Sequence, residues 1–453
     1  MKSRRHVYFS TIVAALGGFL FGFDTAVISG TTEALQAVFE LDEFWLGFTV
    51  ASALIGTIVG AFAVGKPGDV FGRRQVLMVL AIFYFVSALG SATTGVWEFF
   101  LFYRFLGGLA VGGASVMAPM YIAEISPARL RGRLVAVNQL NVVTGILIAF
   151  VSNYIVAQFF DVAVAWRWML GVEAAPAAAF LVFLFFIPRS PRWLVRRGLI
   201  DQARAVLEKL GEANVGQELS EIRASLAVES QKKDLALFQK QYAFPIFLAF
   251  SVAMFNQLSG INALMYYAPR IFQMVGAATD AALLQSVAVG GVNLLFTLLG
   301  MTMIDRFGRR PLLMIGSIGT AASLGLVAFQ FLGGGASGTL VLVGLLGFIA
   351  FFAMSQGAVI WVFISEIFPN RVRSKGQSLG SFTHWFMAAV VSWTFPVIAD
   401  ASGGYAFAFF SAMMLLQFFF AWKIMPETKD LSLEELEVKL GVSTKALERH
   451  RAT

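Results

Sequence analysis

One carboxylate, Asp24, interrupts an apolar stretch, residues 7–32, that is long enough to cross a lipid bilayer. An ionisable group at the centre of a spanning helix costs about 2.5–3.5 kcal/mol on insertion scales, so it is retained for pairing or for moving protons. Arg104 lies in the fourth such stretch, at a similar depth when residues are counted from the helix ends at about 1.5 Å each. We therefore predict that Asp24 faces Arg104, as a permanent ion pair or as a carboxylate that releases the arginine when protonated.

A second group of polar side chains surrounds Gly260 in the seventh apolar stretch. It consists of Asn256, Gln257, Ser259 and Asn262. Each amide can both donate and accept hydrogen bonds, which suits a ligand rich in hydroxyl groups. Amides also join helices inside membranes, and for this segment alone that alternative is the favoured interpretation.

Arginine and acidic residues recur in two duplicated motifs. "GDVFGRR" at 68–74 recurs as "IDRFGRR" at 304–310, and "YIAEISPARLRGR" at 121–133 recurs as "FISEIFPNRVRSK" at 363–375. Any single arginine is explained by the usual excess of positive charge in cytoplasmic loops. The duplication instead favours a set of charged residues that joins helix ends and acts as a gate. Glu124 with Arg131, and Glu366 with Arg373, lie at the inner ends of spans, where such a set can form. The predicted gate residues are Asp69, Arg73, Arg74, Glu124, Arg131, Asp305, Arg309, Arg310, Glu366 and Arg373.

The elements that hold these residues are predicted to be membrane-spanning helices. The chain is 58% hydrophobic and 13% charged, whereas soluble domains carry about 25% charged residues. Repeated apolar runs of about 20 residues indicate a polytopic α-helical membrane protein. The twelve candidate spans are 7–32, 45–64, 76–96, 99–122, 134–160, 168–187, 242–269, 281–304, 311–332, 339–365, 377–399 and 405–422.

The charge distribution predicts the orientation and the domains. Lys and Arg collect in the loops after even-numbered spans, which places those loops, both termini and the central loop in the cytoplasm. The duplicated motifs indicate two six-helix bundles related by an axis along the membrane normal. The predicted domains are an N-terminal bundle at 1–187, a linker with short amphipathic helices at 188–240, a C-terminal bundle at 241–424 and a cytoplasmic segment at 425–453.

Several function classes are disfavoured by the sequence. It contains no nucleotide-binding loop, no cluster of metal-binding residues and no nucleophile–base set, so we expect neither an enzyme nor a cofactor or metal site. There are no cysteines, which excludes disulfides and thiol chemistry. The net charge of +7 lies in short loops between spans, so no nucleic-acid partner is expected.

Several stretches together resemble one family, the sugar porters of the major facilitator superfamily, which includes xylose–proton symporters and facilitative glucose transporters. They are "LFGFDTAVISG", "GDVFGRR", "YRFLGG", "MYIAEISPARLRGR", "SPRWL", "NQLSGINALMYYAP", "DRFGRRP", "WVFISEIFPNRVRSK" and "PETKDLSLEEL". The resemblance implies a monomeric, proton-coupled monosaccharide symporter of the bacterial inner membrane that works by alternating access. A facilitative sugar uniporter is the alternative, and a sugar-sensing receptor is a third. Proton-coupled members carry Asp at the position of Asp24, whereas facilitative relatives typically carry a neutral residue.

The resemblance also implies a sugar cavity. Its expected residues are Phe21, Ile146, Asn256, Gln257, Asn262, Tyr266, Asn293, Trp361, His384 and Trp385. Three of them depart from the family pattern: Asn256 replaces Gln, Ile146 replaces Gln, and His384 replaces Asn or Gln. These departures leave the identity of the sugar open. His384 is either a neutral hydrogen-bonding imidazole or a second titrating group.

Three further residues carry expectations of their own. In the cytoplasmic motifs, Val70 stands where the family usually has Arg, and Arg189 stands where it usually has Glu, which leaves the details of the gate open. Glu173, near the outer end of the sixth span, is interpreted as a packing or pairing residue rather than a transport residue.

Overall fold

A computed structural model of the chain describes residues 2–127, 129–212, 214–231, 236–333, 337–431 and 433–442. Every regular element within these residues is helical. The predicted segment 425–453 therefore lies partly outside the described residues, beyond 442. The chain divides into two compact units, Met1–Leu41 with Thr49–Lys233, and Asp42–Phe48 with Asp234–Thr453. The four predicted domain boundaries stay a prediction.

The first unit contains the spanning helices of the N-terminal half and the helices of the central segment. Its elements are α1 Lys2–Val27, a 3-10 turn Ile28–Gly30, α2 Thr32–Val38, α3 Glu43–Ala63 apart from its first turns, α4 Gly65–Phe71, α5 Arg73–Thr93, α6 Trp97–Ile125, α7 Arg131–Phe159, α8 Val162–Gly171, α9 Ala174–Leu184, α10 Pro191–Arg196, α11 Ile200–Leu210 and α12 Val215–Gln231.

The second unit contains the helices of the C-terminal half. They are a 3-10 turn Lys240–Tyr242, α13 Ala243–Leu258, α14 Ile261–Gln273, α15 Thr279–Phe307, α16 Arg309–Leu332, α17 Gly338–Met354, α18 Gln356–Glu366, α19 Arg373–Lys423 and α20 Leu433–Lys439. The first turns of α3, Asp42–Phe48, also belong to this unit.

The predicted number of spans agrees with the helices. Within the described residues, 11 helical segments are long and apolar enough to cross a membrane. One of them, α19, has 51 residues and is interrupted at Ser402 (φ −172°, ψ 115°). At about 1.5 Å per residue it is more than twice as long as a bilayer core of about 30 Å. It therefore holds the last two of the twelve predicted spans.

Close contacts between helices depend on glycine in the first unit. A Cβ on Gly22 of α1 would lie 1.9 Å from the Val142 carbonyl oxygen on α7, and one on Gly145 of α7 would lie 2.1 Å from the Phe19 carbonyl oxygen on α1. Small residues of this kind let helix backbones approach closely in membranes. The close contact fixes the part of α1 that carries Asp24.

The central segment forms the short helices that its amphipathic pattern predicts. The Ser190 hydroxyl accepts from the Trp193 backbone N–H at 3.2 Å, capping α10. The apolar faces of α10, α11 and α12 then pack on one another in a small cluster that includes Trp193, Leu194 and Leu207. These helices belong to the first unit.

Candidate functional site

The predicted contact between Asp24 and Arg104 is present in the first unit. Asp24 is 4% exposed and Arg104 is 2% exposed. Arg104 donates through Nη1 to Asp24 Oδ1 at 2.5 Å and through Nη2 to Asp24 Oδ2 at 3.3 Å. The two-pronged geometry is the one in which a guanidinium and a carboxylate interact most strongly.

The burial of this pair decides what it can do chemically. Removing one partner of a buried ion pair destabilises a protein by about 3–5 kcal/mol, because the other charge is left uncompensated. Protonation of Asp24 removes its charge without removing the side chain. The arginine then loses its counter-charge, so that one proton can determine where the guanidinium binds.

Glu173 lies next to the same pair, between α8 and α9. It is 3% exposed and lies within hydrogen-bonding reach of Asp24, with electrostatic interactions to both Asp24 and Arg104. Two carboxyl groups can form a hydrogen bond only when one of them carries a proton. Glu173 therefore makes this a site of two carboxyl groups and one arginine.

The predicted amide cluster is assembled in the second unit, around the end of α13. Gln257 Oε1 accepts from Asn262 Nδ2 at 2.8 Å, and Gln257 Nε2 donates to Asn256 Oδ1 at 3.1 Å. The same Nε2 lies 3.2 Å from a ring nitrogen of His384. Since an amide N–H only donates, the imidazole must offer a lone pair. Gln257 thus connects α13, α14 and α19 through one side chain.

A break in the seventh span creates this arrangement. Gly260 is left-handed, with φ of +83°, and separates α13 from α14. A Cβ at this position would lie 2.4 Å from the ring of Phe410. Only glycine combines this backbone conformation with so little space. The break lets Asn262 turn back toward Gln257, five residues earlier.

Aromatic rings border the amide cluster. The Trp361 and His384 rings lie 5.0 Å apart, and the His384 and Trp385 rings lie 4.9 Å apart and perpendicular. Trp361 is 39% exposed, so part of its ring is available to a ligand. Trp385 is buried.

Two further predicted residues of the second unit, Tyr266 and Asn293, are buried at 4% and 7% exposure. Of the two predicted residues of the first unit, Phe21 lies in α1 and Ile146 lies in α7. Phe21 is partly buried, and Ile146 is 8% exposed beside the α1 backbone at Gly22.

The duplicated motifs form equivalent ion-pair clusters, one in each unit. In the first unit, Arg73 bonds Asp69 at 3.0 Å and Glu124 at 3.0 Å. In the second unit, Arg309 lies 3.5 Å from Asp305 and 2.7 Å from Glu366. The equivalent geometry agrees with the internal repeat.

The partners of Glu124 and Glu366 lie on other helices. Each glutamate binds the arginine of the "FGRR" motif, on another helix, rather than Arg131 or Arg373 from its own motif. Arg373 instead donates to the Phe368 carbonyl at 3.3 Å. The "FGRR" arginines begin helices whose first turns lie beside the ends of α6 and α18, and this contact between helices is invisible along the chain.

The second arginine of each "FGRR" motif has a different role. Arg74 donates to the Leu184 and Phe185 carbonyls at 2.9 and 3.1 Å, at the end of α9. Arg310 donates to the Ala421 carbonyl at 3.0 Å, near the end of α19. Cations at a helix C-terminus interact favourably with the exposed carbonyls.

Comparisons with known proteins agree with this architecture. The family model "Sugar (and other) transporter" matches residues 10–440. The chain belongs to this family. The D-xylose-proton symporter of Escherichia coli K12 is 39% identical, and the alignment covers 97% of each chain. The arabinose-proton symporter of Bacillus subtilis is 35% identical, over 94% of this chain and 93% of that protein.

Solved structures give the same result for the fold. The inward-open xylose transporter of E. coli matches this sugar transporter with a TM-score of 0.86 at 38% identity, covering 96% of this chain and 99% of that chain. The proton:xylose symporter bound to 6-bromo-6-deoxy-D-glucose matches with a TM-score of 0.79 at 39% identity, covering 97% and 100%. The chain is therefore a multi-pass membrane transporter with the major facilitator fold, and not an enzyme.

The role of one residue, Glu427, was not predicted, although its motif was part of the family resemblance. Glu427, in "PETKD", accepts from the backbone N–H groups of Arg309, Arg310, Thr428 and Lys429 at 2.8–3.0 Å. Burial alone would raise the pKa of Glu427, but the four backbone donors hold it below its ordinary value. Glu427 thereby closes the N-terminus of α16. The signal that could have identified it is a glutamate just after the last span. A carboxylate there can accept from the backbone N–H groups at the start of α16, which have no partner within the helix.

Proposed function

We propose that the protein is a proton-coupled monosaccharide symporter that works by alternating access between two six-helix bundles. The single observation that carries the proton coupling is the buried pair of Asp24 and Arg104. Support for the substrate class comes from relatives named as xylose-proton and arabinose-proton symporters, which match along nearly the whole chain.

In the proposed cycle, Asp24 is the group that binds the transported proton. The carboxylate holds Arg104 while it is ionised, and a proton on one of its oxygens releases the guanidinium. Glu173 shares this site. One proton and one positive charge, that of Arg104, are therefore distributed over two carboxyl groups. The coupling requires that the sugar binds best to the proton-loaded form, because a ligand shifts a conformational equilibrium only through its different affinities for the two forms.

The proposed sugar-binding residues are those of the amide cluster and the rings beside it. Gln257 and Asn262 offer donors and acceptors to sugar hydroxyls, and Asn293 adds a further amide. Trp361 and Trp385 supply faces for the C–H side of the ring. Other proposed contributors are Phe21, Ile146, Asn256, Tyr266 and His384.

The remaining features of the proposed function concern its setting. The charge pattern of the loops supports a protein of the bacterial inner membrane with both termini in the cytoplasm. The two clusters around Arg73 and Arg309 are proposed to act as the cytoplasmic gate. The protein is proposed to work as a monomer in the lipid bilayer.

The direct test is uptake of labelled monosaccharides into proteoliposomes, with and without an imposed pH gradient. We expect accumulation of a pentose or hexose that depends on the gradient. Asp24→Asn should abolish accumulation, since the amide cannot bind or release the proton, while sugar exchange at equal concentrations on both sides continues. Asp201→Asn, on the exposed side of α11, is the matched control and should accumulate sugar normally.

The alternatives give different results in the same assay. A facilitative uniporter would equilibrate the sugar without accumulation, with or without the gradient. A sensor would bind sugar without transporting it. Full accumulation by Asp24→Asn would show that this carboxylate is not the coupling group.

A further inference from the structure

Helix α5 presents three buried hydroxyl groups on one face. Tyr84, Ser87 and Ser91 are 1%, 3% and 1% exposed, and their spacing of three and four residues places them on the same side of a helix. Ser87 donates to the Tyr103 carbonyl at 2.7 Å. The hydroxyl of Tyr84 has no hydrogen-bond partner within the described residues. A buried hydroxyl without a partner is rare in native structures and calls for an explanation.

The Tyr84 side chain lies on the face of α5 that packs toward the candidate proton site. It interacts electrostatically with Asp24 and Glu173. One turn further along α5, Ser87 faces Gly107 of α6, where a Cβ would be 2.5 Å from Ser87 Oγ and 3.8 Å from Asp24 Oδ1. The hydroxyl face of α5 and the Asp24 carboxylate therefore both lie close to Gly107.

The charged groups that face this point come from three elements. They are Asp24 of α1, Arg104 of α6 and Glu173 at the start of α9. Charged groups on the other helices packed against α5 are bound elsewhere. Arg167 of α8 donates to the carbonyls of residues 92 and 94 at 2.8 and 2.7 Å, beyond Ser91. Asp69 of α4 binds Arg73 at the opposite end of α5.

We propose that Tyr84 is a positioning residue of the proton site, whose hydroxyl donates to the Asp24–Glu173 carboxyl pair when Arg104 leaves it. This role depends on the proton coupling proposed above. In the described conformation both oxygens of Asp24 accept from the Arg104 guanidinium. When a proton neutralises Asp24 and the guanidinium withdraws, an acceptor oxygen becomes available to the phenol.

The consequence of this geometry is a preference between two states. The hydroxyl is unpaired while the ion pair exists and paired once the pair is broken, so it stabilises the proton-loaded state relative to the ion-paired state. No bond is broken in this step except hydrogen bonds, and the proton on Asp24 comes from the medium. Loss of the hydroxyl should therefore make proton loading harder.

Tyr84→Phe is the test, because it removes only the hydroxyl. Gradient-driven sugar uptake in proteoliposomes is measured as a function of external pH, beside sugar exchange at equal concentrations. We expect the pH of half-maximal uptake to fall by about 0.5–1 unit, which corresponds to a three- to tenfold higher proton concentration and to the loss of one hydrogen bond. At a pH well below this midpoint, where both proteins carry the proton, sugar exchange and its half-saturating concentration should be the same; near the midpoint the variant should need more sugar, because sugar binds best to the proton-loaded form.

Tyr121→Phe is the matched control, since the Tyr121 hydroxyl donates to the Pro188 carbonyl at 2.8 Å, far along α6 from Arg104. It should lower thermal stability and leave the pH profile unchanged. If Tyr84→Phe raises thermal stability with an unchanged pH profile, the hydroxyl is only a packing defect and the role proposed for it is wrong. If the wild-type protein shows no response to a pH gradient, the proton coupling itself fails, and the role of Tyr84 fails with it.

Discussion

At the scale of single residues, His384 shows how a hydrogen bond determines a protonation state. Gln257 Oε1 accepts from Asn262, so Gln257 Nε2 is the atom that donates toward the imidazole 3.2 Å away. A doubly protonated imidazole has no lone pair to accept this bond. Of the two interpretations left open by the sequence, this geometry favours the neutral imidazole.

We therefore predict that His384→Ala weakens sugar binding equally on both sides of neutral pH. Gln257 loses an acceptor and the Trp361 ring loses a neighbour, which corresponds to a decrease in affinity of about five- to tenfold for one hydrogen bond. Competition binding in detergent at two pH values measures the effect. His6→Ala, exposed in α1, is the control. A loss of affinity confined to acidic or to alkaline pH would indicate that His384 titrates.

The residue contacts that could be predicted were those set by depth alone. Asp24 and Arg104 were matched because residue counts along two straight spans give similar depths in the membrane. The place of Glu173 beside Asp24 was not predicted, because it depends on the break between α8 and α9. Gly171 and Pro176 in "GVEAAP" are typical of a helix break, but they do not give the direction of the Glu173 side chain. The partners of Glu124 and Glu366 could not be predicted, because each lies on another helix and far away along the chain.

At the scale of elements, the breaks in the spanning helices determine where polar groups can gather. The seventh span is divided at Gly260 and the tenth at Ser355. The sequence indicated the first break through a glycine among amides. It did not indicate the second, since "AMSQGAV" is compatible with a continuous helix, and its interruption depends on packing against other helices.

The two halves also differ in one element despite their repeat. Glu427 closes the N-terminus of α16, whereas Arg189 occupies the corresponding place after the sixth span. Arg189 lies 5.5 Å from the centre of the Trp193 ring. A positive charge near a helix N-terminus interacts unfavourably with the helix dipole. The departure at Arg189 therefore removes from the first half a cap that the second half retains.

We predict that Gly260→Ala disrupts the amide cluster. An L-residue in the left-handed conformation costs about 1–2 kcal/mol, and the contact with Phe410 adds about 1–3 kcal/mol of overpacking. Relief of this strain would move α14 and separate Asn262 from Gln257. We expect a lower melting temperature together with a large loss of sugar affinity.

A substitution at a second glycine distinguishes the strain of the left-handed backbone from the overpacking against Phe410. Gly276 has a similar φ of +86° but no atom within 4 Å of its Cβ position. Gly276→Ala should lower the melting temperature slightly and leave sugar affinity unchanged. Equal effects of the two substitutions on sugar affinity would contradict a special role for the break at Gly260.

At the scale of the whole molecule, the duplicated motifs predicted the repeat because they place the same charges at the same helix ends. The clusters around Arg73 and Arg309 agree with it. What the motifs could not predict is that α3 is divided between the two units. Its first turns, within Asp42–Phe48, belong to the second unit, and the chain from Thr49 onward belongs to the first.

Within the second unit, these first turns are held by charge and by aromatic contact. Arg270 of α14 donates to Glu43 at 2.6 Å, and the rings of Phe44 and Phe48 lie 5.3 and 5.0 Å from that of Trp393. These contacts hold the first turns of α3 against α14 and α19.

We predict that Glu43→Gln loosens the first turns of α3 from α14 and α19. Partly exposed ion pairs contribute up to about 1 kcal/mol, which corresponds to a shift of up to about fivefold in the equilibrium. The chain has no cysteine, so Ser392→Cys supplies a single buried reporter next to Trp393. Its rate of labelling by a soluble thiol reagent should rise in Glu43→Gln. The double exchange Glu43→Arg with Arg270→Glu restores the pair with reversed polarity and should return the rate toward that of the parent. If the three proteins label at the same rate, the pair does not hold α3, and the aromatic contacts with Trp393 are sufficient to fix its first turns.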